Sequence, residues 1–297
     1  MLGGGGMPDR PPAAFSWFPG HMRSAWRRLT DELSQVDVIL CLLDARIPST
    51  SRNLQLERSL EGRKQSWVFV LNKADLAESA QTERWIKQLS ETGWPVVSLT
   101  SRAGKGLGPL RPHIEKARQL LEQRRNSRTL LERPLRMQVL GLPNVGKSTL
   151  LNRLVERSAA KTGKKPGLTR GQAQWVGGPA AEGGLSGGIQ LLDSPGIMYP
   201  RIETWDQVAN LAACGCIKAD ILPLVEVAEL LLLKLSHLSL SSRLPVATTE
   251  LEELGRHLCF LLPGAEIDLE RTARWLLAQC FEGKLGRITW ERAEVGV

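Results

Sequence analysis

"GLPNVGKST", residues 141–149, fits the pattern GxxxxGK[ST] and stands where that pattern has chemical meaning. An apolar run of strand length, "LRMQVLG" (135–141), precedes it, and a helical pattern over 147–157 follows. A glycine-rich turn between strand and helix aims successive backbone N–H groups at one spot, and the helix adds the positive end of its dipole. Asn144, Val145, Gly146, Lys147, Ser148 and Thr149 are the candidates for wrapping phosphates. The Lys147 ammonium would neutralise β- and γ-phosphate oxygens, and the Ser148 hydroxyl would be offered to Mg2+.

The base reader stands upstream of this loop. "VFVLNKAD" (68–75) is a buried-strand pattern ending in Asn72, Lys73, Ala74 and Asp75. Guanine presents an N1–H and an exocyclic amine, two donors that one carboxylate accepts together, and adenine lacks that pair. Asp75 is therefore the discriminator for GTP over ATP. Asn72 would bond the other edge of the base and brace nearby loops, and the stem of Lys73 would cover the ring. One strand–helix unit later, "TSRAGKG" (100–106) brings Thr100 and Ser101, whose backbone N–H is placed for the guanine carbonyl oxygen.

Apolar runs at 36–44, 66–72, 95–100 and 135–141 alternate with helical patterns at 80–92 and 107–125. This alternation predicts an α/β, doubly wound, mostly parallel sheet with its ligand loops at the carboxyl ends of the strands. The guanine half (36–106) comes before the phosphate half (135–196). A sheet is indifferent to where the chain starts, so the order marks a circularly permuted P-loop GTPase domain. "QAQWV" (172–176) and "IQLLD" (189–193) read as a strand pair around the glycine-rich "GGPAAEGGLSGG" (177–188), a hairpin tip without chemistry. "DSPG" (193–196) places Asp193 to hold Mg2+ through water and Gly196 to bring its N–H to a γ-phosphate. In "KTGKKPGLTR" (161–170), Thr169 is the candidate switch hydroxyl for the Mg2+ shell.

Past about residue 205 the strand signal stops. "TTELEELGRHLCFLL" (248–262) and "DLERTARWLLAQCFEGKLG" (268–286) read as helical. The chain divides into a flexible leader (1–16), the permuted GTPase domain (17–204) and an all-helical C-terminal domain (205–297). The apolar stretch 221–240 contains Glu226, Glu229, Lys234 and His237, which favours a buried helix over a membrane span. The five cysteines form no CxxC pair, so free thiols in a reducing compartment are expected, and the start lacks an apolar secretion segment, so the expected location is cytoplasmic.

The chain has 297 residues, 42% of them hydrophobic and 24% charged, with a formal charge of +8. Residues 101–136 carry ten Lys/Arg against three Glu, and 157–170 carry five against none. Each run alone reads equally as a solvated face; two beside one nucleotide site favour a polyanionic partner.

Together "WFPGHM" (17–22), "LDARIP" (43–48), "NKAD", "GLPNVGKST", "PGLT" (166–169), "DSPGI" (193–197) and "GKLGRIT" (283–289) occur in the order of one family. The chain resembles the circularly permuted ribosome-assembly GTPases of the RbgA/YlqF family over nearly its whole length. The resemblance implies a GTPase that assists late assembly of the large ribosomal subunit, is stimulated by that subunit and leaves after hydrolysis. It implies a helical domain against ribosomal RNA, and a monomer off the ribosome. Where many GTPases carry a water-orienting Gln after "DSPG", this chain has Ile197. The resemblance supplies His21 as the alternative catalytic group beside Lys147 and Thr169; on its own sequence context, His21 reads as capping or packing against the first helix. Asn144 resembles the residue that helps bind K+ in potassium-dependent relatives, where a monovalent cation offsets transition-state charge. Two other readings stay open: a permuted switch acting on a protein or membrane partner, and an assembly scaffold that barely hydrolyses GTP.

Overall fold

A computed structural model describes residues 33, 35–60, 65–103, 107–125, 134–162, 174–176, 189–192 and 202–293. His21, Thr169, Asp193 and Gly196 lie outside the described residues, as do the leader, the glycine-rich insert and, apart from Leu33, the expected first helix.

Among the described residues six strands form one sheet: β1 (Val38–Asp44), β2 (Ser66–Asn72), β3 (Val96–Ser98), β4 (Leu135–Gly141), β5 (Gln174–Val176) and β6 (Ile189–Leu192). Their spatial order is β3-β2-β1-β4-β6-β5, and every pairing is parallel except β5 with β6. The expected strand pair is therefore present as an antiparallel ladder between Gln174–Val176 and Ile189–Leu191. Every residue of β1 is buried, as a central strand covered on both faces requires. Alternate residues feed two cores. Val38, Leu40, Leu42, Val68, Val70, Met137 and Val139 face one side, in an apolar cluster that continues into the helical region. Ile39, Cys41, Leu43, Phe69 and Leu71 face the other, against Leu56, Trp85 and Leu89.

The crossover helices are α1 (Leu54–Leu60), α2 (Ser79–Ser90), α3 (Leu107–Arg125) and α4 (Lys147–Thr162). The sequence reading missed α1, which is only two turns long and buries Leu56 while leaving Leu54 exposed. The helical region comprises α5 (Trp205–Ala213), α6 (Leu224–His237), α7 (Leu251–His257) and α8 (Leu269–Glu282). Helix α5 opens with a capping box between Thr204 and Gln207. Helix α7 stops at His257, earlier than the apolar pattern suggests. Cys259 adopts φ +56 and the chain turns back, with Leu261 bridging Ile267. No helix among the described residues is long and apolar enough to cross a membrane.

Strand order reverses between β1 and β4. From β1 the chain proceeds to β2 and β3 on one side, and from β4 to β5 and β6 on the other. Ligands of open α/β sheets bind at that crevice, beyond the carboxyl ends of the strands. The register levels those ends: Asp44 pairs with Asn72, and Leu42 with Gly141. With strands about 4.8 Å apart, the NKAD loop and the phosphate loop emerge from one sheet edge with only β1 between them.

Candidate nucleotide site

The phosphate loop is shaped by three residues with positive φ: Gly141 (+153), Asn144 (+59) and Gly146 (+101). A Cβ on Gly141 would lie 2.5 Å from the Leu42 carbonyl, and one on Gly146 would collide with the Asn72 amide. Glycine is needed at both places because backbone and side chain approach so closely. Val145 is fully buried and anchors the loop in the core. Lys147 is 9% exposed, and its Nζ donates to the carbonyls of Gly141 (3.2 Å) and Leu142 (2.8 Å), so the ammonium lies back over the loop. Ser148 and Thr149 stand exposed in the first turn of α4.

Asn72 joins the two halves of the site. It is 2% exposed; its Nδ2 donates to the Val145 carbonyl at 2.7 Å and its Oδ1 accepts from the Ser101 N–H at 3.0 Å. One side chain thus ties the base loop to the phosphate loop 73 residues away and to the "TSR" loop 29 residues away. The bracing expected of Asn72 is what this geometry displays, with both ends of its amide engaged by protein. The Ser101 N–H, expected at the guanine carbonyl oxygen, is engaged by Asn72. Thr100 is half-buried beside it, Ala74 N–H donates to the Leu99 carbonyl (3.2 Å), and Asp75 is exposed to solvent.

Sequence reasoning assigned no role to the next layer. Asp44, the last residue of β1, is fully buried. Its Oδ1 accepts from Arg46 Nε (3.0 Å), while Oδ2 meets Arg46 Nη2 (2.9 Å) and Lys73 Nζ (2.9 Å). Burial alone would raise the Asp44 carboxyl, but the Arg46 and Lys73 cations outweigh it and hold the group well below the usual carboxylate range. Lys73, at φ +59, thereby has its ammonium fixed against Asp44. Arg46, 1% exposed, also donates from Nη1 to the carbonyls of Cys280 and Phe281 (3.2 Å each) at the carboxyl end of α8. A guanidinium suits that place, where helix carbonyls lack intrahelical partners and the dipole is negative. The sequence shows only a charged pair, "DAR", ending an apolar run, and nothing local points to the carbonyls that Arg46 meets on α8.

The helical region reaches the site at further points. Asn144 Nδ2 donates to the Gly215 carbonyl at 2.6 Å. Helix α8 ends at Gly283 (φ +73), where a Cβ would lie 2.7 Å from Leu76 Cδ2, one residue past Asp75. The segment after it is strapped across both base-side loops: Ile288 N–H to the Leu76 carbonyl (3.0 Å) and Trp290 N–H to the Arg46 carbonyl (2.8 Å). Glu291 accepts from the N–H groups of Ser49 (2.7 Å) and Thr50 (3.0 Å), from the Thr50 hydroxyl, and from Asn210 Nδ2 (3.1 Å).

Mg2+ prefers hard oxygen ligands. The exposed Ser148 hydroxyl at the start of α4 suits it, and the other two expected ligands, Thr169 and Asp193, lie outside the described residues. Among the described residues no group of three His, Cys, Asp or Glu side chains is placed to hold a metal ion.

Residues 136–253 match the family described as 50S ribosome-binding GTPase. The chain is 33% identical over 287 residues to ribosome biogenesis GTPase A of Bacillus cereus, covering 94% of both chains. It is 34% identical to the Bacillus licheniformis protein of the same name, covering 94% of this chain and 98% of that one. GNP-bound YlqF from Thermotoga maritima superposes with a TM-score of 0.64 at 25% identity, over 91% of this chain and 99% of that one. The GDP-bound form gives 0.62 at 25% identity, over 90% and 99%. With its NKAD loop ahead of its phosphate loop on one mostly parallel sheet, and with relatives matching it almost end to end, the chain belongs to the ribosome biogenesis GTPase A family of circularly permuted GTPases.

Proposed function

We propose that this chain binds GTP with Mg2+, hydrolyses it to GDP and phosphate, and uses the nucleotide state to control its hold on a precursor of the large ribosomal subunit late in assembly. The observation that carries the reading is the Asn72 side chain, which bonds the phosphate loop with one end and the "TSR" loop with the other. A site so tied can grip a base and a phosphate tail at once.

In this reading Asp75 accepts the two guanine donors, Lys73 covers the ring, and the amides of 144–149 with Lys147 hold the phosphates. A phosphate oxygen is a charged acceptor and competes well against the two neutral carbonyls that Lys147 now contacts. Because the Ser101 N–H serves Asn72, the amide of Arg102, next in the following 3-10 turn, takes the base carbonyl. Mg2+ would be held by Ser148 with Thr169 and Asp193, and it supplies charge neutralisation on the transferring phosphoryl group. His21 would position or deprotonate the attacking water in place of a Gln, Gly196 would sense the γ-phosphate, and Asn144 with K+ would offset developing charge. The GTPase domain spans 17–204, and residues 205–297 form the RNA-facing helical domain of a cytoplasmic protein.

The test is GTP turnover in K+ buffer with and without purified large subunits, repeated in Na+. Subunits should raise turnover, and Na+ should lower it. Asp75→Asn should lose guanine preference and gain xanthosine nucleotides, whose C2 carbonyl accepts from the new amide. Turnover indifferent to subunits, or Asp75→Asn keeping its preference for GTP, refutes the assignment.

A further inference from the structure

Two nucleotide-side residues are held from outside the sheet. Asn144 of the phosphate loop donates to the Gly215 carbonyl at 2.6 Å. Lys73 of the base loop carries its ammonium 5.9 Å from the centre of the Phe281 ring. Gly215 follows α5 and Phe281 lies in the last turn of α8, so both partners belong to the helical region. They also touch each other. Gly215 adopts φ +67, and a Cβ there would lie 2.5 Å from Phe281 Cδ2. Turn and ring form one small platform facing both loops, and Arg46 pins it by binding the Cys280 and Phe281 carbonyls.

Phe281 is 43% exposed, so packing covers only part of its ring. The ring face lies within reach of an ammonium that a left-handed backbone at Lys73 directs toward it. Lys73 has its charge met by Asp44 on one side and by the ring quadrupole on the other, which leaves its aliphatic stem in a defined path for covering a base.

We propose that Phe281 and Gly215 are positioning residues of the nucleotide pocket: the platform they form in the helical region fixes Lys73 and Asn144, so that the affinity for guanine nucleotide is partly set from outside the GTPase domain. The proposal rests on the guanine-nucleotide reading above. It gives a partner that engages the helical region a direct route to nucleotide release, independent of the chain segment after β6.

The test is release of a fluorescent (mant) GDP from the full chain, with Phe281 replaced in graded ways. A cation–π contact at an exposed site corresponds to about 2- to 5-fold in a rate or binding constant. Phe281→Ala and Phe281→Leu should release mant-GDP faster by that factor, whereas Phe281→Tyr and Phe281→Trp should release it as the parent does. Gly215→Ala, which pushes directly on the ring, should speed release as well. A role in packing alone would let Leu substitute for Phe, so Phe281→Leu at the parent rate overturns the proposal. Phe281→Tyr releasing as fast as Phe281→Leu also overturns it. A parent chain that holds no mant-GDP at all would instead overturn the nucleotide reading itself.

Discussion

Asn72 and Asp75 stand three residues apart in one motif, and they should fail in different ways when changed. Asn72→Ala deletes the donor to the Val145 carbonyl and the acceptor for the Ser101 N–H, both inside a region where Asn72 is 2% exposed. Leaving a buried donor or acceptor unpaired costs about 1–3 kcal/mol each, so the two together cost about 2–6 kcal/mol. Gly146, packed against the lost amide, is half-exposed, so water from the pocket can reach the gap and the effect should fall in the lower half, about 2–3 kcal/mol. At 2–4 °C per kcal/mol this lowers the melting temperature by about 5–10 °C. Asp75→Asn, at an exposed position, should stay within about 0.5 kcal/mol of the parent while changing base preference. The assay is thermal and urea unfolding of nucleotide-free protein, followed by the fluorescence of its nine tryptophans. If Asn72→Ala unfolds with the parent when no nucleotide is present and loses only GTP affinity, Asn72 is a ligand for the base and not the tie between the loops.

Three further outcomes follow from the layer behind the pocket. Arg46→Met strands the Asp44 carboxylate with Lys73 alone and uncovers the end of α8, so urea unfolding should show a loss of about 3–5 kcal/mol, as for other broken buried ion pairs. Burial raises the Glu291 carboxyl above its ordinary 4.5, against the Thr50 and Ser49 donors and the Lys234 charge; a raised folded value contributes stability that is complete below 4.5 and is lost as pH climbs through that value. The stability advantage of the parent over Glu291→Gln, which cannot titrate, should therefore shrink as pH rises from 4.5 toward neutrality when urea midpoints are compared. Burial also pushes the thiols of Cys216 and Cys280 up to about 12 and encloses Cys41 and Cys214, leaving Cys259 exposed, so a disulfide-exchange reagent should find one fast thiol in the folded chain and five after denaturation.

What could be read in advance divides along sequence separation. The phosphate loop, the NKAD strand end and the parallel sheet were legible because each is a local pattern: a glycine-spaced turn, an apolar run, a strand–helix alternation. The permutation was legible because it is a statement about order. Arg46, Gly215, Phe281 and Glu291 were not, because what defines them lies far along the chain. Arg46 meets carbonyls 234 and 235 residues later, and Glu291 meets amides 241 and 242 residues earlier. Nothing in the neighbourhood of "TWERAE" marks a carboxylate that closes on two backbone amides of another loop. The partner of the Ser101 N–H was hidden for a related reason: the motif marks a loop, but which of its N–H groups faces a ligand depends on a hydrogen bond to Asn72.

Permutation attaches the helical region to the nucleotide site in two separate ways, and they can be told apart. One is covalent: the chain continues from β6 through Gly196 to α5, so on the proposed reading a pull at Gly196 on loss of the γ-phosphate would reach the helices along the chain. The other is by contact: Arg46 and the strap through Ile288, Trp290 and Glu291 hold the helices on the base-side loops, and the Asn144–Gly215 bond holds them on the phosphate loop, without using that segment. A long Gly/Ser insertion after Arg201 lengthens only the first attachment. Doubling a loop costs about 0.6 kcal/mol in closure entropy, so the insertion should leave folding stability and GDP affinity close to the parent's. The difference in large-subunit binding between the GTP-analogue and GDP forms should disappear, because the contact attachment by itself carries no γ-phosphate signal from Gly196. Co-sedimentation with purified large subunits in both nucleotide states measures this. If the inserted chain keeps the parent's difference, the signal crosses through Asn144 and the platform beneath it, and the covalent route is dispensable.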